Sequence, residues 1–260
     1  MSPQPSIQFI VDFGAGNPLR LDLCLPKVEF SPLELLPFVF SVTDAMVTMS
    51  SDTLLEMHTP IQCGPGCGAC CHQLVPISEY EAVYLAGIVR ALPAPQRSRT
   101  VARFTDAITT LDASGLLCDL TDTFANTPED WRTVLNLKKR YWDLAIACPF
   151  LEDNSCSIHT HRPVACRQYL VTSKPAHCAR IYSSDEAHEV VLHPADIGGA
   201  LASFSGEGVQ KSRVLPHVFS LLAERGIRSR PMATLPAPQM MGRFLDLLTT
   251  CFMRRDQGTP

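Results

Sequence analysis

The sequence predicts an α+β fold that is mainly α, with a small N-terminal β-hairpin, a helical body and irregular cysteine-rich loops. Three observations carry this reading. Alternation of apolar and polar residues is confined to the first 25 or so positions; helix-capping signals precede long stretches of helical period; and the cysteines bunch in segments that have neither pattern. A chain of 260 residues suits one large or two small domains. With 46% apolar and 18% charged residues it is neither disordered nor fibrous, and a net charge of -4 supplies no basic excess for nucleic acid.

Ile7 to Phe13 is β-branched and aromatic, and Leu19, Leu21, Leu23 and Leu25 alternate with Arg20, Asp22 and Cys24. Two strands therefore flank Gly14 to Pro18 as a hairpin. Ser31-Pro32-Leu33-Glu34 combines an N-cap, a first-turn proline and a capping-box glutamate, and Pro37 should interrupt that turn, so a helix is expected from Phe38 to about Met57. Ser78 with Glu81 repeats the capping box and opens a helix to about Leu92, followed by another from Pro95 to Leu111. Thr127-Pro128-Glu129-Asp130 opens a further helix on which Trp131, Val134, Leu137, Tyr141 and Leu144 form a core face, while Lys138, Lys139 and Arg140 make a wet one. Beyond Cys178 a strand is expected at Glu189 to Leu192, then helices near Ala195–Phe204, Val209–Glu224 and Pro238–Arg254, with Pro231 and Pro236 marking a break. The organisation expected is a hairpin and lead-in helix over residues 1–60, a metal-binding domain over 61–180 and a helical region over 181–260.

Charge is uneven. Residues 1–57 carry two basic against seven acidic side chains, and the segment from Gln210 onward reverses this, with Lys211 and seven arginines against three acids. Complementary ends could pack together, or both could be solvated faces, which is the expected explanation.

Eleven cysteines are the unusual number. No apolar leader precedes Arg20 and no run approaches 18 apolar residues, so secretion and membrane spanning are not indicated, and a cytoplasmic location is expected. In a reducing compartment clustered thiols read as metal ligands or redox groups rather than disulfides. Cys63, Cys67, Cys70 and Cys71 lie within nine residues, interleaved with three glycines that let the backbone turn tightly around an ion. Cys148, Cys156, Cys166 and Cys178 follow at gaps of seven, nine and eleven residues, which fits loops returning to one centre begun by the first cluster. Pro149 should end the preceding helix near Ala147 and leave Cys148 at its negative pole, whereas Arg162-Pro163 should start a helix that favours negative charge at Cys166. Adjacent Cys70 and Cys71 would project to different sides of an extended backbone.

Cys63-x3-Cys67-x2-Cys70-Cys71, Cys148-Pro149-Phe150-Leu151, Cys156-Ser157-Ile158-His159, Arg162-Pro163-x2-Cys166-Arg167-x-Tyr169 and Cys178 together resemble the YkgJ-type cysteine-cluster family of zinc- or iron-chelating proteins. The resemblance covers about residues 61 to 180. It implies metal binding at Cys63, Cys67, Cys70, Cys71, Cys148, Cys156, Cys166 and Cys178, and it extends distantly to the cysteine-rich part of flagellin lysine N-methylases, which carry an iron-sulfur cluster. His159 stands where relatives often have tyrosine.

Thiolates suit zinc and iron-sulfur clusters and argue against magnesium or calcium. Unpaired, widely spaced cysteines enclose a larger centre more readily than a zinc ribbon does, which favours iron-sulfur. Arg162, Arg167, Arg180, His159, His161 and His177 are near enough in sequence to offset the negative charge. His159 and His161 read as supporting or surface groups, His72 is undecided, and Cys24, Cys118 and Cys251 read as buried small apolar groups. Two enzyme readings compete. Val11-Asp12-Phe13-Gly14-Ala15-Gly16-Asn17-Pro18 is similar to a methyltransferase glycine loop but lacks the helix that should follow. The Cys63, Cys67, Cys70 spacing matches the radical S-adenosylmethionine triad, without that fold's alternating strands and helices downstream. The expected function is binding of zinc or iron. The alternatives are an iron-sulfur enzyme or redox protein, such as a protein lysine N-methylase component, and a metal carrier or store. The partner expected is the metal ion or cluster; neither membrane nor nucleic acid is indicated, and a protein partner is left open.

Overall fold

The computed structural model describes residues 6–13, 18–24, 29–125, 130–182 and 188–254. The fold is α+β and mainly α, 56% helical, with short antiparallel strand pairs among the described residues. Strand β1 (Ser6–Val11) pairs with β2 (Leu19–Cys24) in the expected hairpin, Val11 opposite Leu19. A strand thus stands where a methyltransferase loop needs a helix; residues 14–17 and the Cys24 side chain lie outside what is described.

After β3 (Glu29–Phe30) the Ser31 amide donates to the Glu34 carboxylate at 2.7 Å, and α1 (Leu36–Glu56) begins two residues before the expected start. Pro37 does not interrupt it, because in the first helical turn the missing N–H has no partner to lose. β4 (Pro76–Ser78) runs into α2 (Glu79–Ala91), where Ser78 and Glu81 form the expected capping box. α3 (Ala94–Ala113) turns through Gly115, at φ +71°, into α4 (Leu116–Ala125), which the sequence reading did not include. α5 (Trp131–Asp143) is capped by Asp130, whose carboxylate accepts from the Arg132 amide at 3.0 Å; Thr127 to Glu129 lie outside the described residues. Leu137 and Tyr141 on this helix are buried, but Trp131 is 67% exposed and not core. The first residues of α5, Trp131 to Thr133, are exposed, and the Arg132 guanidinium lies over the Trp131 ring, 5.6 Å from its centroid.

β5 (Leu151–Glu152) and β6 (Ser155–Cys156) form a two-residue hairpin. Asp153 and Asn154 both have positive φ, 48° and 59°, a conformation these side chains tolerate and two-residue hairpins require. α6 (Val164–Gln168), α7 (Pro175–Cys178) and α8 (Ile197–Ala202) are short. The expected strand at Glu189–Leu192 is a single bridge between Val171 and Val190. The expected helix Val209–Glu224 is interrupted by a strand: β7 (Val214–Pro216) pairs with β4, a 3₁₀ turn follows, and only from Ser220 does α9 (Ser220–Arg228) begin. β8 (Leu235–Pro236) pairs with β3 and leads into α10 (Ala237–Cys251).

Two apolar cores result. One joins Val11, Phe13 and α1 to α8 and α10, with Phe204 and Phe244 edge-on at 5.6 Å. The other joins α2, α3, α4, α5 and α9 with Phe150 and Ile158. The oppositely charged ends of the chain do meet, through β3–β8 pairing and apolar side chains rather than as separate solvated faces. Three of the late arginines pair elsewhere, Arg213 and Arg230 with Glu79 and Arg228 with Glu224.

Candidate metal centre

Each cysteine segment is tethered by a bond the local sequence explains. The Gln62 amide donates to the Val171 carbonyl at 2.9 Å, which fixes the entry to Cys63 beside the strand-like segment after α6. Cys70 and Cys71 stand in a 3₁₀ turn, Ala69–His72, so the alternation of an extended backbone does not apply to them. Gly68 precedes that turn because a Cβ there would meet Leu151 Cδ1 at 2.9 Å and the Asn154 carbonyl oxygen at 3.3 Å; the β5–β6 hairpin is packed directly on it.

The second cluster comes back to the same place. α5 ends at Asp143 rather than near Ala147, since Ala145 takes φ 51° and reverses the chain, and the Cys148 amide then donates to the Cys71 carbonyl at 2.7 Å. Cys156 follows from the hairpin. Cys166 lies in the first turns of α6, as Arg162-Pro163 predicted. That helix is anchored from both sides. Glu81, buried at the start of α2, accepts the Val164 amide at 2.7 Å, and Arg167 donates to the Asp44 carboxylate at 2.6 Å and to the carbonyls of Thr160 at 2.5 Å and Arg162 at 2.8 Å. Cys178 ends α7, which packs against the Ala69–His72 turn.

The thiols feel one another. Accepting the Cys71 S–H bond pulls Cys70 down to about 7, while donating it, with burial and the nearby Cys148 and Cys166, pushes Cys71 far up. Burial raises Cys63 and Cys156, takes Cys148 up to about 12 with Cys156 and Cys70 adding, and takes Cys178 up to about 11 with Cys63, Cys70 and Cys67 adding. Cys166 is raised well above the ordinary range by burial and by Cys148, Cys70 and Cys156. Residues 63–71 and 148–178 meet through the Cys148–Cys71 backbone bond and the packing of α7 on the Ala69–His72 turn, and none of the eight thiols is in a disulfide. Among the described residues no three donors already stand around a common ion position.

Of the cations expected to offset this crowding, Arg162 does so: it lowers Cys63, Cys70, Cys156 and Cys166, and its Nε is buried with no hydrogen-bond partner among the described residues. Arg167 is committed to Asp44 and backbone carbonyls, with its guanidinium 4.3 Å from the Phe40 ring. His161 Nδ1 is bonded to the Tyr84 hydroxyl at 2.7 Å, away from the thiols, and His159 is exposed with its ring pushed down by Arg162. His72 is half-buried on the cysteine turn. Cys118 and Cys251 are exposed, not buried as expected; both occupy the outer faces of amphipathic helices.

One group was missed. His188 lies with Tyr169 and Gln73 beside Cys178: Gln73 Nε2 donates to the Tyr169 hydroxyl at 3.0 Å, that hydroxyl is 3.0 Å from His188 Nε2, and the same nitrogen is 3.5 Å from Cys178 Sγ. Tyr169 belongs to a recognisable motif, but nothing in the spacing of His188 signals this return. It depends on the pairing of residues 170–172 with 189–191.

Soft thiolates in this number fit zinc or iron-sulfur and not magnesium or calcium. No helix among the described residues is long and apolar enough to cross a membrane. No curated protein and no solved structure is matched by the chain. Residues 62–188 match a family model described as "CxxCxxCC: Putative zinc- or iron-chelating domain". That segment contains every cysteine of the converging set, so the likeness to zinc- or iron-chelating domains falls on the candidate metal centre itself.

Proposed function

We propose that the chain binds zinc or iron through Cys63, Cys67, Cys70, Cys71, Cys148, Cys156, Cys166 and Cys178, and that the bound centre is structural. The supporting observation is the 2.7 Å bond from the Cys148 amide to the Cys71 carbonyl, which ties the two clusters together at their cysteines. Buried thiols crowded in this way resist ionisation individually. A cation among them reverses that, because each thiolate then gains a charge partner in place of the water it lost. The ion or cluster supplies folding free energy to loops too irregular to hold themselves. Iron in a cluster is the form favoured, since the donors come from several separate segments and enclose a centre instead of forming paired zinc knuckles. The metal-binding unit corresponds to residues 61–180, between a hairpin-and-helix lead-in and a helical C-terminal region.

The test is purification without oxygen, elemental analysis and a visible spectrum. Stoichiometric iron with broad thiolate-to-iron absorption is the expected result. A colourless protein with stoichiometric zinc would overturn the cluster but keep the cysteine centre, and absence of both metals would overturn the centre itself.

A further inference from the structure

We propose that His188 is a nitrogen ligand of the metal centre, bound through Nε2 beside Cys178. This rests on the cysteine-centre reading and adds a donor to it. Ligand bonds of about 2.3 Å to sulfur and about 2.0–2.1 Å to imidazole nitrogen, at a tetrahedral angle, leave the two ligand atoms about 3.6 Å apart. Cys178 Sγ and His188 Nε2 are 3.5 Å apart, the edge of such a tetrahedron.

The protonation pattern agrees. The Tyr169 hydroxyl accepts from Gln73, and its own proton is free to go to His188 Nε2, the tautomer in which that nitrogen carries the lone pair a metal ion would take. The ring is held in this attitude by stacking on Tyr169, with centroids 5.9 Å apart and planes at 30°. The backbone that follows His188 is held too, since the Thr172 amide donates to the Glu189 carbonyl at 3.1 Å and the Val191 amide to the Leu170 carbonyl at 2.8 Å. The nitrogen gives up the tyrosine bond when it takes an ion.

A thiol–imidazole hydrogen bond would have the same separation, so the test must read the coordination sphere and not affinity alone. Loss of an outer hydrogen-bonding group also weakens metal binding, by about 10–100-fold, without changing the ligands. Cobalt(II) added to the metal-free full-length chain is the probe, and its d–d spectrum the readout. His188→Gln, which can still accept from Tyr169, is expected to lose the nitrogen-ligand signature and shift the bands. His188→Cys is expected to restore tight binding with bands at longer wavelength and stronger sulfur-to-cobalt absorption. If His188→Ala or His188→Gln fails to fold, the cysteine variant alone decides, because a ligating position must move the spectrum. Band positions unchanged in these variants, or no cobalt bound by the unmodified chain, would overturn the assignment. Failure of the underlying reading looks different: the unmodified chain, purified without oxygen, would contain neither iron nor zinc.

Discussion

His217 should give the fold a measurable sensitivity to acid that does not involve the cysteines. It follows β7 in the second core, is 3% exposed, and neither ring nitrogen has a hydrogen-bond partner among the described residues, although its amide donates to the Val75 carbonyl at 2.9 Å. Burial therefore holds the ring neutral and pushes its pKa down to about 4 from an ordinary 6.5. In the window between these values the unfolded chain takes a proton that the folded chain refuses. The contribution is fully present above the unfolded value and is lost as pH falls through the folded one. The full loss is about 3 kcal/mol, of which about 2 kcal/mol appears by a pH of about 5. His217→Leu removes the titration and the two unpaired nitrogens while keeping the volume. It should match or exceed the natural chain at a pH of about 7.5, where unpaired buried nitrogens cost about 1–3 kcal/mol. Its advantage should grow by about 2 kcal/mol on going to a pH of about 5. Urea unfolding of both proteins at each pH, in matched metal, reads the difference directly. A stability difference independent of pH would refute the argument, and would mean that the ring has a proton acceptor or water within reach.

Arg167→Ala should cost about 3 kcal/mol in urea unfolding, because it strands two carbonyls and uncovers Phe40. Asp44→Asn should cost below about 1 kcal/mol, since water still reaches the aspartate's exposed side. Gly68→Ala should lower stability by about 1–3 kcal/mol by pushing a Cβ into the β5–β6 hairpin, whereas Gly66→Ala, at φ +80° in open space, should cost only about 1 kcal/mol of backbone strain; thermal melts of the two variants separate the causes. Cys148→Ser should abolish stoichiometric metal in elemental analysis, while Cys118→Ser and Cys251→Ser, both exposed, should leave metal content unchanged and stability within about 0.5 kcal/mol.

Local signals were legible wherever a side chain acts on its own backbone. Ser78 and Glu81 gave the α2 cap, Arg162-Pro163 the start of α6, and strand alternation the β1–β2 hairpin. Long-range partners overrode the same logic elsewhere. Val214–Pro216 has a helix-compatible flank but pairs with β4, and Pro216 is tolerated because the strand is at an edge. Trp131 follows the period of the buried face yet precedes the point where α5 meets the core. At the metal centre the cysteines announced themselves by density, and their convergence followed. The turn that returns Cys156 has a local signal, since adjacent Asp153 and Asn154 are residue types that tolerate positive φ. His188 was not, because its place depends on a chain reversal with no periodic signature.

The pairing of β4 with β7 also has a consequence for how the protein is made. β4 emerges from the ribosome before the second cysteine cluster is translated, and its partner emerges after the last of the eight thiols. At synthesis rates of about 5–20 residues per second the nascent chain spends several seconds with a complete set of sulfurs and an open strand edge. Whichever reaches that intermediate first, metal or oxidant, determines what the finished chain closes around.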